Sequence, residues 1–349
     1  MRSIAMFVIA GLVAAISTVA MAELQNVEVG GSIRIRGSYY DFDKNPVGDV
    51  SFIEQRTRLN VKADFTDNVT AFIELDSYDI WGEDFRSQNY ALGFDTRAAS
   101  IDDVEVYQAY IEAREMWGTS LVLRVGRQEL SFGSEWLVGV NDASSVFTGL
   151  SFDAAKLSYE TDMFSATAFV AKLAENFGNF ADDDVDFYGL YLSYTGLEDI
   201  VLDAYWMYVR DDSAILLVDS DLHTVGLRGA GALGAFDFEA EAAYQFGRIK
   251  ARGFDWDAFG VNLEAGYTFD ISWQPRIYLG FAYLEGASGG DLAFNRLFSN
   301  WEYSEFLENT ELSNAFVYRA GVSAMPTETI ELALMGAYFV ADKVDSGGW

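Results

Sequence analysis

Nine basic side chains pose the chemical question. Arg34, Arg36, Arg56, Arg58, Lys62, Arg124, Arg127, Lys156 and Arg319 stand out from an acidic majority, and several recur at every second position. Arg34 and Arg36 flank Ile35, and Arg56, Arg58 and Lys62 alternate with Thr57, Leu59 and Val61. Successive side chains of a β-strand point to opposite faces, so this spacing gathers cations on one face and apolar groups on the other. A guanidinium fork binds a carboxylate through two parallel hydrogen bonds, which suits reversible contact with anionic solutes. Acids share these faces: Glu74, Asp76, Glu112, Glu160, Glu239, Glu241 and Glu264. They supply a competing reading, a ladder of mutually neutralising charges that stiffens a wall. Arg127 follows Gly126, a residue expected to disturb the register as a bulge would, so its face is the least fixed of the nine.

Other chemistry is excluded by what the chain lacks. It has no cysteine, so disulfides, thiol nucleophiles and cysteine metal sites are out. The single histidine, His223, sits beside Asp219 and Asp221 with no catalytic motif around it. The chain is read as non-enzymatic and without a cofactor; divalent cations would suit only acidic loops such as Asp182-Asp183-Asp184. A formal net charge of -31 argues against nucleic-acid binding, because phosphates repel such a surface.

The elements that carry these residues alternate in the same way nearly throughout. Residues 1–22 read as a signal peptide: Arg2, an apolar run from Ala5 to Ala20, then Ala20-Met21-Ala22 as a small-x-small cleavage site. From residue 23 to 349 one domain of antiparallel hairpins is expected. Fifteen alternating segments are legible, most of them longer than the five or six residues of an ordinary strand. Around Val104–Gly139 two of them flank a turn at Met116-Trp117-Gly118, with Tyr107, Ala109, Ile111 and Ala113 assigned to the apolar face. Aromatic residues make up 15% of the chain, and Tyr39, Phe65, Tyr194, Tyr267 and Tyr283 close apolar faces. Connections after even-numbered segments are short, whereas several after odd-numbered ones are long.

Long two-faced strands, aromatic strand ends and alternating loop lengths together predict an all-β transmembrane antiparallel barrel, apolar side to lipid and charged side to a water-filled lumen. Charges on so many strands cannot pack dry without large desolvation costs. Bacterial single-chain barrels usually have an even strand count. Fifteen therefore leads to the expectation that the sequence is truncated at its C-terminal end, with 16–18 strands when complete.

Several segments carry a resemblance: Glu54-Gln55-Arg56-Thr57-Arg58-Leu59, Gln108-Ala109-Tyr110, Leu123-Arg124-Val125-Gly126-Arg127-Gln128-Glu129-Leu130, Ser151-Phe152-Asp153-Ala154-Ala155-Lys156-Leu157 and Asp291-Leu292-Ala293-Phe294-Asn295-Arg296-Leu297-Phe298. In order and spacing they resemble the alginate-export family of bacterial outer-membrane porins. The resemblance implies an 18-stranded monomeric barrel in the outer membrane, in contact with lipid and lipopolysaccharide, with an arginine-lined conduit for an anionic polysaccharide. The chain is more acidic than a polyuronate conduit suggests.

The leading expectation is passive passage of anionic solutes or oligosaccharides, with the nine cations above as lumen residues. A cation-preferring general porin, set by the acids, is the alternative. A barrel serving as an adhesin or structural protein is a third reading, with the loops Ile80–Ser100 and Ala287–Leu312 as binding surfaces. Ile80–Ser100 and Ser131–Gly149 are the candidate lids.

Overall fold

The computed structural model describes residues 24–40, 49–81, 104–142, 147–175, 184–213, 218–250, 252–304 and 310–344. The signal-peptide reading of 1–22, most of Ile80–Ser100 and the acidic run 182–183 lie outside them. The strands are β1 (Asn26–Tyr40), β2 (Val50–Thr66), β3 (Val69–Ile80), β4 (Glu105–Ala113), β5 (Leu121–Gln128), β6 (Phe152–Glu160), β7 (Phe164–Ala174), β8 (Val185–Leu197), β9 (Ile200–Ser213), β10 (Val218–Leu233), β11 (Phe236–Ile249), β12 (Phe254–Thr268), β13 (Arg276–Leu284), β14 (Asp291–Leu292), β15 (Ala315–Thr327) and β16 (Ile330–Ala341).

All but β14 follow one antiparallel up-and-down path in sequence order. These long strands coincide with the fifteen alternating segments. The sixteenth, β14, is a two-residue piece paired parallel to β12. Among the described residues, β1 and β16 each pair on one side only.

Alternation decides which way each wall faces. Ile33, Leu59, Leu227, Leu279 and Leu334 are more than half exposed on the outside, although each is strongly apolar. In water that would be a long aggregation-prone surface; against acyl chains it is the favoured state. Their inward neighbours are polar and largely covered: Arg56 is 6% exposed, Glu74 7% and Asp76 8%.

Short and long connections fall at opposite ends. Tight turns join β2 to β3, β8 to β9, β10 to β11 and β15 to β16, whereas residues 129–151 and 285–314 link β5 to β6 and β13 to β15. The short end is periplasmic in barrels of this design. The turn 116–118 forms one short 3-10 turn, with Glu115 and Trp117 both at positive φ.

Candidate functional site

The two long outer connections fold into the barrel and meet. The backbone N–H of Phe298 donates to the Leu137 carbonyl (2.8 Å) and that of Gly139 to the Phe298 carbonyl (2.9 Å), forming a parallel bridge. Trp136 Nε1 donates to Tyr303 Oη at 2.7 Å, with both residues fully buried. This pair of loops is a plug. It packs on inward side chains of β6 to β9: Phe298 lies against Phe152 and Phe187, and Phe132 stacks on Phe169 and Tyr191. The inside of the barrel is therefore not uniformly wet and polar, as its alternation suggests. Over β6–β9, and on to Ala243, Ala258, Ala282, Ala315 and Val317 of β11–β15, it is an apolar core closed by the plug.

The adjoining wall, β1 to β5, is charged. Arg34 and Arg56 place their Nη1 atoms 2.8 Å and 2.6 Å from the same carboxylate oxygen, Oδ1 of Asp142 on the 129–151 loop. Arg56 Nη1 also donates to the Phe147 carbonyl at 3.0 Å, and the guanidinium groups of Arg34 and Arg36 lie over the Phe147 ring. Arg36 Nε is 2.8 Å from Glu54, which accepts a second bond from Tyr78. Arg58 donates to Asp76 at 3.1 Å and to the Thr148 carbonyl at 3.0 Å, within reach of Glu74 and Glu129. Burial pushes the Glu129 carboxyl up, although the Tyr107 hydroxyl donates to it at 2.7 Å. A loop that presses on buried arginines must offer them acceptors, because an unpaired buried charge is far costlier than a paired one.

Further round, the balance of charge shifts. Arg124 Nε donates to Glu112 at 2.7 Å, and Arg114 reaches the same carboxylate at 2.7 Å. Lys156 stands directly opposite Arg124 on β6 and forms no ion pair among the described residues. Arg114, Arg124 and Lys156 thus face Glu112, with Glu160 exposed at the strand end. A cavity of about 480 Å³ opens beside Arg114 and Arg124 at the periplasmic end, lined also by Lys62 and by the acids Asp64, Asp67 and Glu112.

From β9 to β15 cations and acids are paired within the wall. Arg228 bridges Asp203 (2.7 Å) and Glu239 (3.2 Å), and Arg319 is 3.2 Å from Glu264, which Arg276 also reaches at 3.1 Å. Glu241, 5% exposed, accepts from Tyr205 at 2.7 Å and from Ser134 of the plug at 3.3 Å.

Of the nine cations singled out in the sequence, eight lie on inward faces: Arg34, Arg36, Arg56, Arg58 and Lys62 on one wall, Arg124 and Lys156 beside it, and Arg319 apart from them on β15. Lys62 lies 3.5 Å from Asp64. Arg127 is the correction. Pairing of β4 with β5 runs unbroken through Glu112↔Arg124 and Ala109↔Arg127, so Arg127 keeps the outward phase of Val125 and pairs with Asp153. Gly126 causes no shift. It permits close approach: at φ 130°, an added Cβ would fall 2.2 Å from the Ala109 carbonyl oxygen.

Tyr107 is the second correction. Glu74 faces Gln108 but Leu75 faces Val106, so Tyr107 is the extra residue of a bulge. It turns inward, 7% exposed, under the Arg58 guanidinium at 3.7 Å. Sequence reasoning also passed over Asp142, Phe147, Arg228 and Arg276. For Arg228 a signal existed: it falls in the polar phase with Thr224, opposite Val225 and Leu227.

A meander of long strands with lipid-ready outer faces, short turns at one end and inward-folded loops at the other defines an outer-membrane β-barrel porin. The solved structures it resembles include Acinetobacter baumannii OccAB4 (TM-score 0.55, 14% identity, covering 92% of this chain and 84% of that one). A BenF-like porin from Pseudomonas fluorescens Pf-5 aligns with TM-score 0.57 and 14% identity over 90% and 83% of the two chains. OccK8 (OprE) of Pseudomonas aeruginosa aligns at 0.52 and 12% identity over 89% and 88%. At such identities the likeness speaks to fold. No curated protein matches the sequence. The family profile described as alginate export matches residues 25–346, and the chain belongs to that family. It is a non-enzymatic channel protein of the bacterial outer membrane.

Proposed function

We infer that the barrel passes anionic solutes, carboxylate-bearing sugars or oligosaccharides among them, by passive diffusion along its charged wall. The observation that carries this is the group Arg114, Arg124 and Lys156 on β4–β6, gathered around the single carboxylate of Glu112 next to a periplasmic cavity whose own lining balances Lys62, Arg114 and Arg124 against Asp64, Asp67 and Glu112. Screening length is roughly 8 Å at physiological salt, so acidic groups on distant loops bias a permeating ion weakly. Groups in contact with the path act directly. Weak, multi-site contact is what passage requires, because a tightly held solute does not leave. With both loops seated, passage calls for movement of the plug, the lid behaviour anticipated for Ser131–Gly149.

Alginate-like polyuronates are the favoured solute class through the family's name alone. The test is the reversal potential of the purified protein in a potassium chloride gradient across a planar bilayer. Anion preference is expected, reduced in Lys156→Gln. Cation preference would replace this reading with that of a general porin, which the net charge of -31 favours.

A further inference from the structure

We propose that Asp142 is a built-in substitute for a solute carboxylate: it occupies a two-arginine site on β1 and β2 and latches the plug until an incoming carboxylate takes its place. This rests on the anionic reading above and adds to it a defined site and an opening step.

The geometry is that of a ligand in its pocket. One oxygen of Asp142 bridges Nη1 of Arg34 and Nη1 of Arg56, and neither arginine has another carboxylate closer than this one among the described residues. Phe147 lies under the guanidinium planes, with centroid distances of 4.6 Å for Arg34 and 4.5 Å for Arg36. An aromatic floor with a convergent guanidinium pair is a recognition surface for a planar anion. The site also holds an unused donor. Arg56 is 6% exposed, and its Nε has no hydrogen-bond partner among the described residues. Buried donors of this kind are usually satisfied, so this one is available to an acceptor oxygen of a carboxylate placed differently from Asp142.

Charge supplies the drive for exchange. Asp142 is the one carboxylate within 4 Å of Arg34 and of Arg56 among the described residues, so its withdrawal leaves both guanidinium groups without one. A carboxylate that enters restores the balance, so displacement swaps like for like and avoids exposing bare arginines. Asp142 is tied to the plug through the same loop that carries Trp136, Leu137 and Val138, so its release loosens the contact with 285–314.

The test uses the full chain in planar bilayers, with glucuronate as probe and glucose as neutral control. Glucuronate is expected to raise the open probability of the unaltered protein, and glucose to leave it unchanged. Asp142→Asn is expected to be open from the start, by roughly tenfold or more because the charge-assisted contacts to Arg34 and Arg56 are both weakened, with little further response to glucuronate. Because the chain has no cysteine, Arg34→Cys with Asp142→Cys can be bridged by a short bis-maleimide, which should hold the channel shut. Asp142→Asn with unaltered gating, or a bridged protein that conducts as before, would overturn the latch while anion preference in the gradient still stood. Loss of that preference in the unaltered protein would remove the reading beneath both.

Discussion

The walls β1–β5 and β6–β9 share a sheet and a twist but hold the plug by opposite means. On β6–β9 the hold is apolar: Phe152, Phe169 and Phe187 are each at most 3% exposed against Phe132 and Phe298. On β1–β5 it is ionic and directional, through Arg34, Arg56 and Arg58 to Asp142 and the carbonyls of Phe147 and Thr148. Apolar contact is insensitive to which solute passes. Ionic contact can be competed for by another anion. The difference assigns anchoring to one side and exchange to the other.

Trp136→Ala should have the largest effect, because it empties the centre of the plug and removes the bond to Tyr303. Burial of this kind is worth about 3–5 kcal/mol. A steadily open channel is expected in single-channel recording, whatever the solute. Arg56→Ala should come next. It removes a contact to Asp142 and one to Phe147, each charge-assisted and worth about 1.5–3 kcal/mol. Flickering openings that still respond to anions are expected in the same recordings. If Arg56→Ala opened the channel as fully as Trp136→Ala, the contrast between the walls would fail.

Arg124→Ala should alter selectivity more than gating. Glu112 keeps Arg114, so the wall stays paired while one cation near the cavity is lost. The reversal potential should move toward zero with open probability unchanged. Arg127→Ala should do least. Its pair with Asp153 lies on the outer face, off the lumen and the plug. A thermal transition within a few degrees of the parent and an unchanged reversal potential are expected. A selectivity change there would place Arg127 on the path after all.

Strand number, order and the inward phase of Arg34, Arg56 and Arg124 were legible in the sequence, because a period of two leaves no freedom once one face must meet lipid. Tyr107 was misread because a bulge breaks that period without changing composition. Arg127 was misread for the reverse reason: Gly126 looked like a break and is a close contact. The plug was half legible. Ser131–Gly149 drew notice by length as a lid, whereas Ala287–Leu312 was read as an outer binding surface. Nothing in local pattern says that Trp136 and Tyr303 meet, since that contact depends on tertiary placement. The lumen's apolar half was hidden too: Phe169 and Phe187 face inward only because a loop arrives to cover them.

The bridge between the two loops has a bearing on assembly. Glu135 and Asn300 are 165 positions apart, and their bond joins the β5–β6 connection to the β13–β15 connection. Contacts of such long range slow folding, because the cost of closing the loop comes before its reward. Seating of the stopper is therefore expected to be slow in maturation, behind hairpins whose partners are neighbours in the chain.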